Sequence, residues 1–97
     1  MNHELRHELA EKAKTQPPLW TGDLEDDCTA QWGGLLLRAE SMNEKIWWWA
    51  VTEIATNLEI NSSNNDDLEV DSGVLARRLA ESAACDFLGI SADYTNE

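Results

Sequence analysis

The side chains that could act as nucleophiles, metal ligands or proton donors are two histidines, two cysteines and nineteen carboxylates. His3 and His7 are four residues apart, so a helix would place both on one face, but no third metal ligand lies near them in the sequence. Cys28 and Cys85 belong to no Cys-x-x-Cys pair. A glycine-rich phosphate loop and a nucleophile elbow are also missing. We therefore expect no catalytic residue, no cofactor and no bound metal, and a binding protein rather than an enzyme.

Calcium is an alternative ligand for the acidic residues. The loop of an EF-hand needs glycine at its sixth position and glutamate at its twelfth. Counting from Asp67 places Ser72 and Arg78 at these two positions. The sequence therefore does not predict an EF-hand.

Three consecutive tryptophans, Trp47, Trp48 and Trp49, lie in an apolar stretch that is typical of a β-strand. Because strand side chains alternate, Trp47 and Trp49 point to one face of a sheet and Trp48 to the other. A chain of 97 residues can cover one face with helices but has little left to cover the second. At least one tryptophan is therefore expected on an open sheet face, where it would form a binding surface.

The elements that would position these tryptophans form a single domain over residues 1–97. In chain order they are an N-terminal helix (1–16), a linker with two prolines and several acids (17–27), a β-meander (28–62), an acidic loop (63–71), a C-terminal helix (72–89) and a frayed tail (90–97). The last helix is predicted by apolar residues at helical spacing, such as Leu75 and Leu79, between a cap at Asp71 or Ser72 and Gly89. The predicted fold is an α+β two-layer sandwich in the order α-β-β-β-α, with a three-stranded antiparallel sheet and one sheet face open.

The register of the first predicted hairpin follows from pairing Glu40 with Lys45 across a turn at 41–44. This register puts Arg38 opposite Trp47 on the open face and leaves a wholly apolar set of pairs for the core. Gly33-Gly34 is expected inside the first strand, as a bulge or as room for a neighbouring tryptophan ring. The predicted partner-binding residues are Trp32, Leu36, Arg38, Trp47, Trp49 and Glu53. The alternative is that the linker or the tail folds over this face and covers it.

The net charge of −12 is concentrated in residues 21–71, which carry twelve acids against Arg38 and Lys45. A field of this sign disfavours direct nucleic-acid binding and anionic membranes, and it favours a basic partner. The predicted topology places two acidic clusters at opposite ends of the sheet, where they would steer such a partner. The residues of these clusters are Asp23, Glu25, Asp26, Asp27, Asp66, Asp67 and Glu69. The alternative is that the acidity serves solubility alone.

The function expected from these features is a small acidic protein-interaction module, either an adaptor or an inhibitor of a larger complex. Its partner would be a protein with a basic or apolar patch. Two other hypotheses are a nucleic-acid mimic that inhibits a nucleic-acid-binding or defence complex, and a structural homodimer that buries the same sheet face. No apolar segment is typical of a signal peptide, so a cytoplasmic location is expected, with the two cysteines as buried free thiols.

Overall fold

The computed structural model describes residues 17–43, 46–63 and 70–89. These residues form β1 (Thr21–Asp23), β2 (Asp27–Trp32), β3 (Leu35–Asn43), β4 (Ile46–Glu53), β5 (Leu58–Ser62) and α1 (Gly73–Leu88). Each strand pairs antiparallel with the next, in the order β1-β2-β3-β4-β5. The predicted sandwich of three strands and two helices is therefore wrong, because the described residues form a five-stranded antiparallel sheet with one helix. The predicted N-terminal helix and C-terminal tail lie outside the described residues.

Two strands of the sheet were not predicted as separate elements. One is half of the first predicted strand, and the other lies in the predicted linker. Gly33 and Gly34 both have positive φ, 60° and 79°, as the central residues of a type I′ hairpin turn must. Trp32 and Leu35 pair across this turn, so the first predicted strand is two strands, β2 and β3. The other strand, β1, lies in the predicted linker and pairs with the start of β2.

A β-bulge in the hairpin between β3 and β4 decides which tryptophans face the helix. Asn43 pairs with Ile46, but the next pair is Ser41 with Trp47, so Met42 is an extra residue of β3. A bulge of one residue turns all the following side chains of one strand to the opposite face relative to its partner.

The predicted register of this hairpin assumed a regular ladder and is wrong. In the structure Glu40 pairs with Trp48, and Leu37 pairs with Val51 instead of Trp48. The prediction placed Leu37 and Ala39 of β3 on the core side, which agrees with the structure. It reversed the two faces of β4, because the bulge at Met42 was not foreseen.

The core lies between α1 and one face of the sheet. The buried residues of α1 are Ala76, Ala80, Ala83, Ala84 and Cys85. These side chains are small, so the tryptophan rings of the sheet fill the space beneath the helix at the density that a protein interior requires. The leucines that the spacing pattern placed at the centre of the helix face, Leu75 and Leu79, are only partly buried and pack at its edge.

Local capping explains the limits of α1. Of the two predicted caps, Ser72 is the N-cap, and its hydroxyl accepts a hydrogen bond from the Leu75 amide at 3.1 Å. Gly89 ends the helix in the left-handed conformation with φ of 72°, where its amide donates to the Cys85 carbonyl.

Among the described residues, no helix has the length and apolar character needed to cross a membrane.

Candidate functional site

The structure divides the predicted partner-binding residues between the two faces of the sheet. Trp32, Trp47, Trp49 and Glu53 lie on the face that α1 covers and are 6%, 9%, 3% and 4% exposed. Glu53 accepts a hydrogen bond from the Thr56 hydroxyl at 2.8 Å. The predicted stripe of Trp47 and Trp49 on an open face is thus replaced by a buried layer beneath the helix.

The opposite face of the sheet, which we call the open face, carries Leu36 and Arg38 together with Trp48. The core residues and α1 lie on the other side of the sheet. Leu36, Arg38 and Trp48 are each half-buried, and Ala50, which pairs with Arg38, is buried. Sequence reasoning missed Trp48 as a site residue because it assigned Trp48 to the core.

Arg38 is the centre of the interactions on the open face. Its guanidinium lies 5.9 Å from the centre of the Trp48 ring, within the range of a cation–π contact. The same guanidinium approaches the carboxylates of Asp27 at 3.8 Å and Glu40 at 3.6 Å. The contact of Arg38 is therefore made with Trp48, and not with Trp47, which the predicted register placed opposite Arg38. These partners hold Arg38 and the ring in one arrangement.

Six of the ten acidic residues that the structure describes gather at one end of the sheet. Asp23 and Asp27 pair across β1 and β2, and Asp27 pairs with Glu40 of β3. Glu25 and Asp71 line the same groove. The prediction that the second cluster lies at the opposite end of the sheet stays a prediction. Asp66, Asp67 and Glu69 lie outside the described residues, as do His3 and His7.

The groove between the β1–β2 turn and the start of α1 has a volume of about 390 Å³. Trp47 contributes an aromatic wall, and Gly73 lies directly against its ring. Leu24 and Val74 are 45% and 53% exposed at this groove. Its lining residues are Leu24, Glu25, Ser41, Trp47, Asp71, Ser72, Gly73, Val74 and Arg77.

Arg77 connects the two sides of the groove. Its Nη1 donates a hydrogen bond to the carbonyl of Leu24 at 3.0 Å. Its guanidinium also interacts with the Cys28 thiol, whose pKa is nonetheless raised by burial. Cys28 and Cys85 are both buried and free, which confirms the prediction of buried free thiols. A buried thiol with a raised pKa is a poor nucleophile, so Cys28 is not suited to nucleophilic chemistry.

The second cavity is a cleft of about 170 Å³ between β5 and the second half of α1. Trp49 forms part of its wall, and the Trp49 Nε1 is buried without a hydrogen-bond partner. Ser82 and Asp86 of α1 and Asn61 of β5 are the polar residues of this cleft.

The segment before β1 is tied to the helix side of the molecule. Trp20 packs against the core, and its Nε1 donates a hydrogen bond to the Glu81 carboxylate at 2.8 Å. Burial raises the pKa of Glu81 above its ordinary value, although the bond from Trp20 and the charges of Arg77 and Arg78 lower it. Trp20 therefore directs the described end of the predicted linker towards α1 and away from the open face.

A metal site would need several ligands close together. Among the described residues, no three histidine, cysteine, aspartate or glutamate side chains converge in this way.

Comparison of the chain with known proteins finds no matching family model, no matching curated protein and no matching solved structure.

Proposed function

We propose that the chain is a small acidic protein-interaction module, an adaptor or an inhibitor of a larger complex, that binds a basic protein through the open face. The observation that carries the proposal is the half-buried ring of Trp48 beside Arg38, on the sheet face opposite α1. Tryptophan and arginine are the side chains most enriched among the residues that dominate binding energy at protein interfaces.

The contacts of Arg38 favour this use of the face. An interface loses affinity when long side chains must be immobilised on binding. Arg38 is already held by Asp27, Glu40 and the Trp48 ring, so little of its freedom remains to be lost. Trp48 adds a rigid ring with few rotatable bonds and a large apolar area.

The negative charge of the chain supports the proposal that its partner is a basic protein. The described residues contain ten carboxylates against three arginines, and the whole chain has a net charge of −12. Such a field accelerates association with a positively charged surface and repels nucleic acid and anionic membranes.

The experiment compares the proteins captured by wild type, by Trp48→Ala and by Leu58→Ala. Leu58 is a matched control, since it is an apolar side chain 63% exposed at the start of β5. Truncating one dominant tryptophan weakens binding by about 2 kcal/mol, roughly 30-fold. We expect Trp48→Ala to lose the basic protein that wild type and Leu58→Ala both retain. Equal retention by all three proteins would contradict the proposal.

A second candidate function, nucleic-acid mimicry, is favoured by the gathering of carboxylates at one end of the sheet. A mimic would replace phosphates in the groove of a nucleic-acid-binding protein, so its affinity would fall steeply with salt. Changing Asp23, Glu25, Asp26 and Asp27 to amides would then weaken binding far more than Trp48→Ala. The opposite order of effects supports the open face as the binding site.

Sedimentation of the pure protein tests the homodimer, because a dimer that Trp48→Ala dissociates would place a second copy on the open face.

A further inference from the structure

We infer that the groove at the start of α1 is an anchoring pocket for one long basic side chain, lysine or arginine, of the protein partner. The inference rests on the proposed function in taking the partner to be a basic protein. It adds a contact that the open face does not provide, on the side of the sheet that carries the helix.

The walls of the groove suit the apolar stem of such a side chain. Leu24 and Val74 are about half exposed there, and Trp47 supplies an aromatic surface between them. Lysine and arginine bury their methylene stems against apolar surface while the charged group stays near water. The volume of about 390 Å³ lies within the range of natural ligand pockets, about 300–1,000 Å³.

The charges that remain available in the groove are negative. Glu25 and Asp71 are exposed, and their carboxylates form no ion pair or hydrogen bond within the described residues. The Ser72 hydroxyl is occupied by capping α1. Arg77 is the one cation among the described residues of the lining, and its Nη1 is bonded to the Leu24 carbonyl. The two carboxylates are therefore the groups left to bind the charged end of a ligand.

An anion is the competing occupant, since Arg77 and the start of a helix are both positive. The field of a chain with net charge −12 keeps anions at a distance and draws cations towards the groove. The experiment must therefore compare ligands of opposite charge.

The probes are three capped tripeptides: acetyl-Gly-Lys-Gly-amide, its norleucine analogue and its glutamate analogue. Norleucine keeps an apolar stem without the ammonium group. Each peptide is titrated into ¹⁵N-labelled protein, and the signals followed are the Trp47 indole and the Gly73 and Val74 amides. We expect saturable shifts with lysine, about tenfold weaker binding with norleucine and none with glutamate, because two carboxylates each contribute modestly to binding a cation.

Matched variants separate the local carboxylates from the overall charge. Glu25→Gln with Asp71→Asn removes two charges in the groove, and Glu59→Gln with Asp86→Asn removes two exposed charges outside it. We expect about tenfold weaker lysine-peptide binding in the first double variant and about twofold or less in the second.

Three results would overturn the inference: equal weakening in both double variants, tighter binding of the glutamate peptide, or shifts centred on the Trp48 indole. The last result would leave the proposed function intact, with the open face as the whole site. Failure of the proposed function is recognised separately, by retention of the captured partner in Trp48→Ala.

Discussion

Gly73 lies close against the Trp47 ring where α1 meets the sheet. A Cβ atom at Gly73 would lie 2.9 Å from Cη2 and 3.0 Å from Cζ2 of the Trp47 ring. The ring is 9% exposed, and the Trp47 amide is fixed by a hydrogen bond to the Val70 carbonyl at 2.9 Å. Glycine is therefore needed here to let the helix begin against an aromatic wall.

We predict that Gly73→Ala lowers the free energy of unfolding by about 1–3 kcal/mol, the usual cost of overpacking, although alanine is the better helix former. Urea denaturation measures the change. Val74→Ala, at the exposed neighbouring position, should stay within about 0.5 kcal/mol of wild type. A Gly73→Ala protein as stable as wild type would mean that the Trp47 ring is free to move.

Glu81 predicts a pH dependence of stability. Its pKa is raised by burial, so the folded state binds the proton more tightly than the unfolded state. The stabilisation is therefore complete below the ordinary pKa of 4.5 and is lost as the pH rises through the higher folded value. At neutral pH the ionised carboxylate lowers the stability of the fold.

We predict that Glu81→Gln, which keeps an acceptor for the Trp20 indole, is more stable than wild type at pH 7. The difference should shrink as the pH falls towards 4.5, the ordinary pKa of the carboxyl. Chemical denaturation at several pH values measures it. Asp86→Asn, the same change of charge at an exposed position of α1, reports the effect of net charge alone. If Glu81→Gln were less stable than wild type at pH 7, the ionised Glu81 carboxylate would not lower the stability of the fold, contrary to this prediction.

At the scale of elements, the turn between β2 and β3 depends on the left-handed conformation of Gly33, with φ of 60°. A β-branched side chain in this conformation costs roughly 1–2 kcal/mol, whereas asparagine followed by glycine is a preferred type I′ pair. We predict that Gly33→Val is destabilised by about that amount and that Gly33→Asn is close to wild type. Thermal denaturation of both variants tests this, and equal stability of the two would exclude a type I′ turn.

Some elements could be predicted from the sequence because their signals are local. Ser72 and Gly89 carry the capping preferences that limit α1. Alternation along β3 identifies Leu37 as a core residue. The hairpin at Gly33-Gly34 also has a local signal, because two glycines between strand-like runs are typical of a hairpin turn. The prediction of one continuous strand through these glycines is wrong.

The bulge at Met42 could not be predicted from local pattern. Three adjacent tryptophans give an apolar pattern on either face of β4, so alternation does not choose between Trp48 and its two neighbours. The choice depends on packing, because the alanine face of α1 leaves a volume that the Trp47 and Trp49 rings fill. The predicted position of Leu36 and Arg38 on the face opposite the core agrees with the structure, and the predicted positions of the tryptophans do not.

At the scale of the whole molecule, the two faces of the sheet differ in burial. The face under α1 buries three of the five tryptophans and supplies most of the core. The open face carries Trp48 and Arg38, both half-buried, and the carboxylates lie at the end of the sheet beside the groove. The residues that we propose for binding are therefore not those that form the core.

This separation is tested most directly by comparing the free energies of unfolding of Trp48→Ala and Trp49→Ala. Trp49 is 3% exposed beneath α1, and truncating a buried tryptophan costs about 3–5 kcal/mol. Trp48 is half-buried on the open face, so its truncation should cost less than half as much. A larger loss for Trp48→Ala than for Trp49→Ala would mean that β4 has the opposite face towards the helix, and the account of the open face would be wrong.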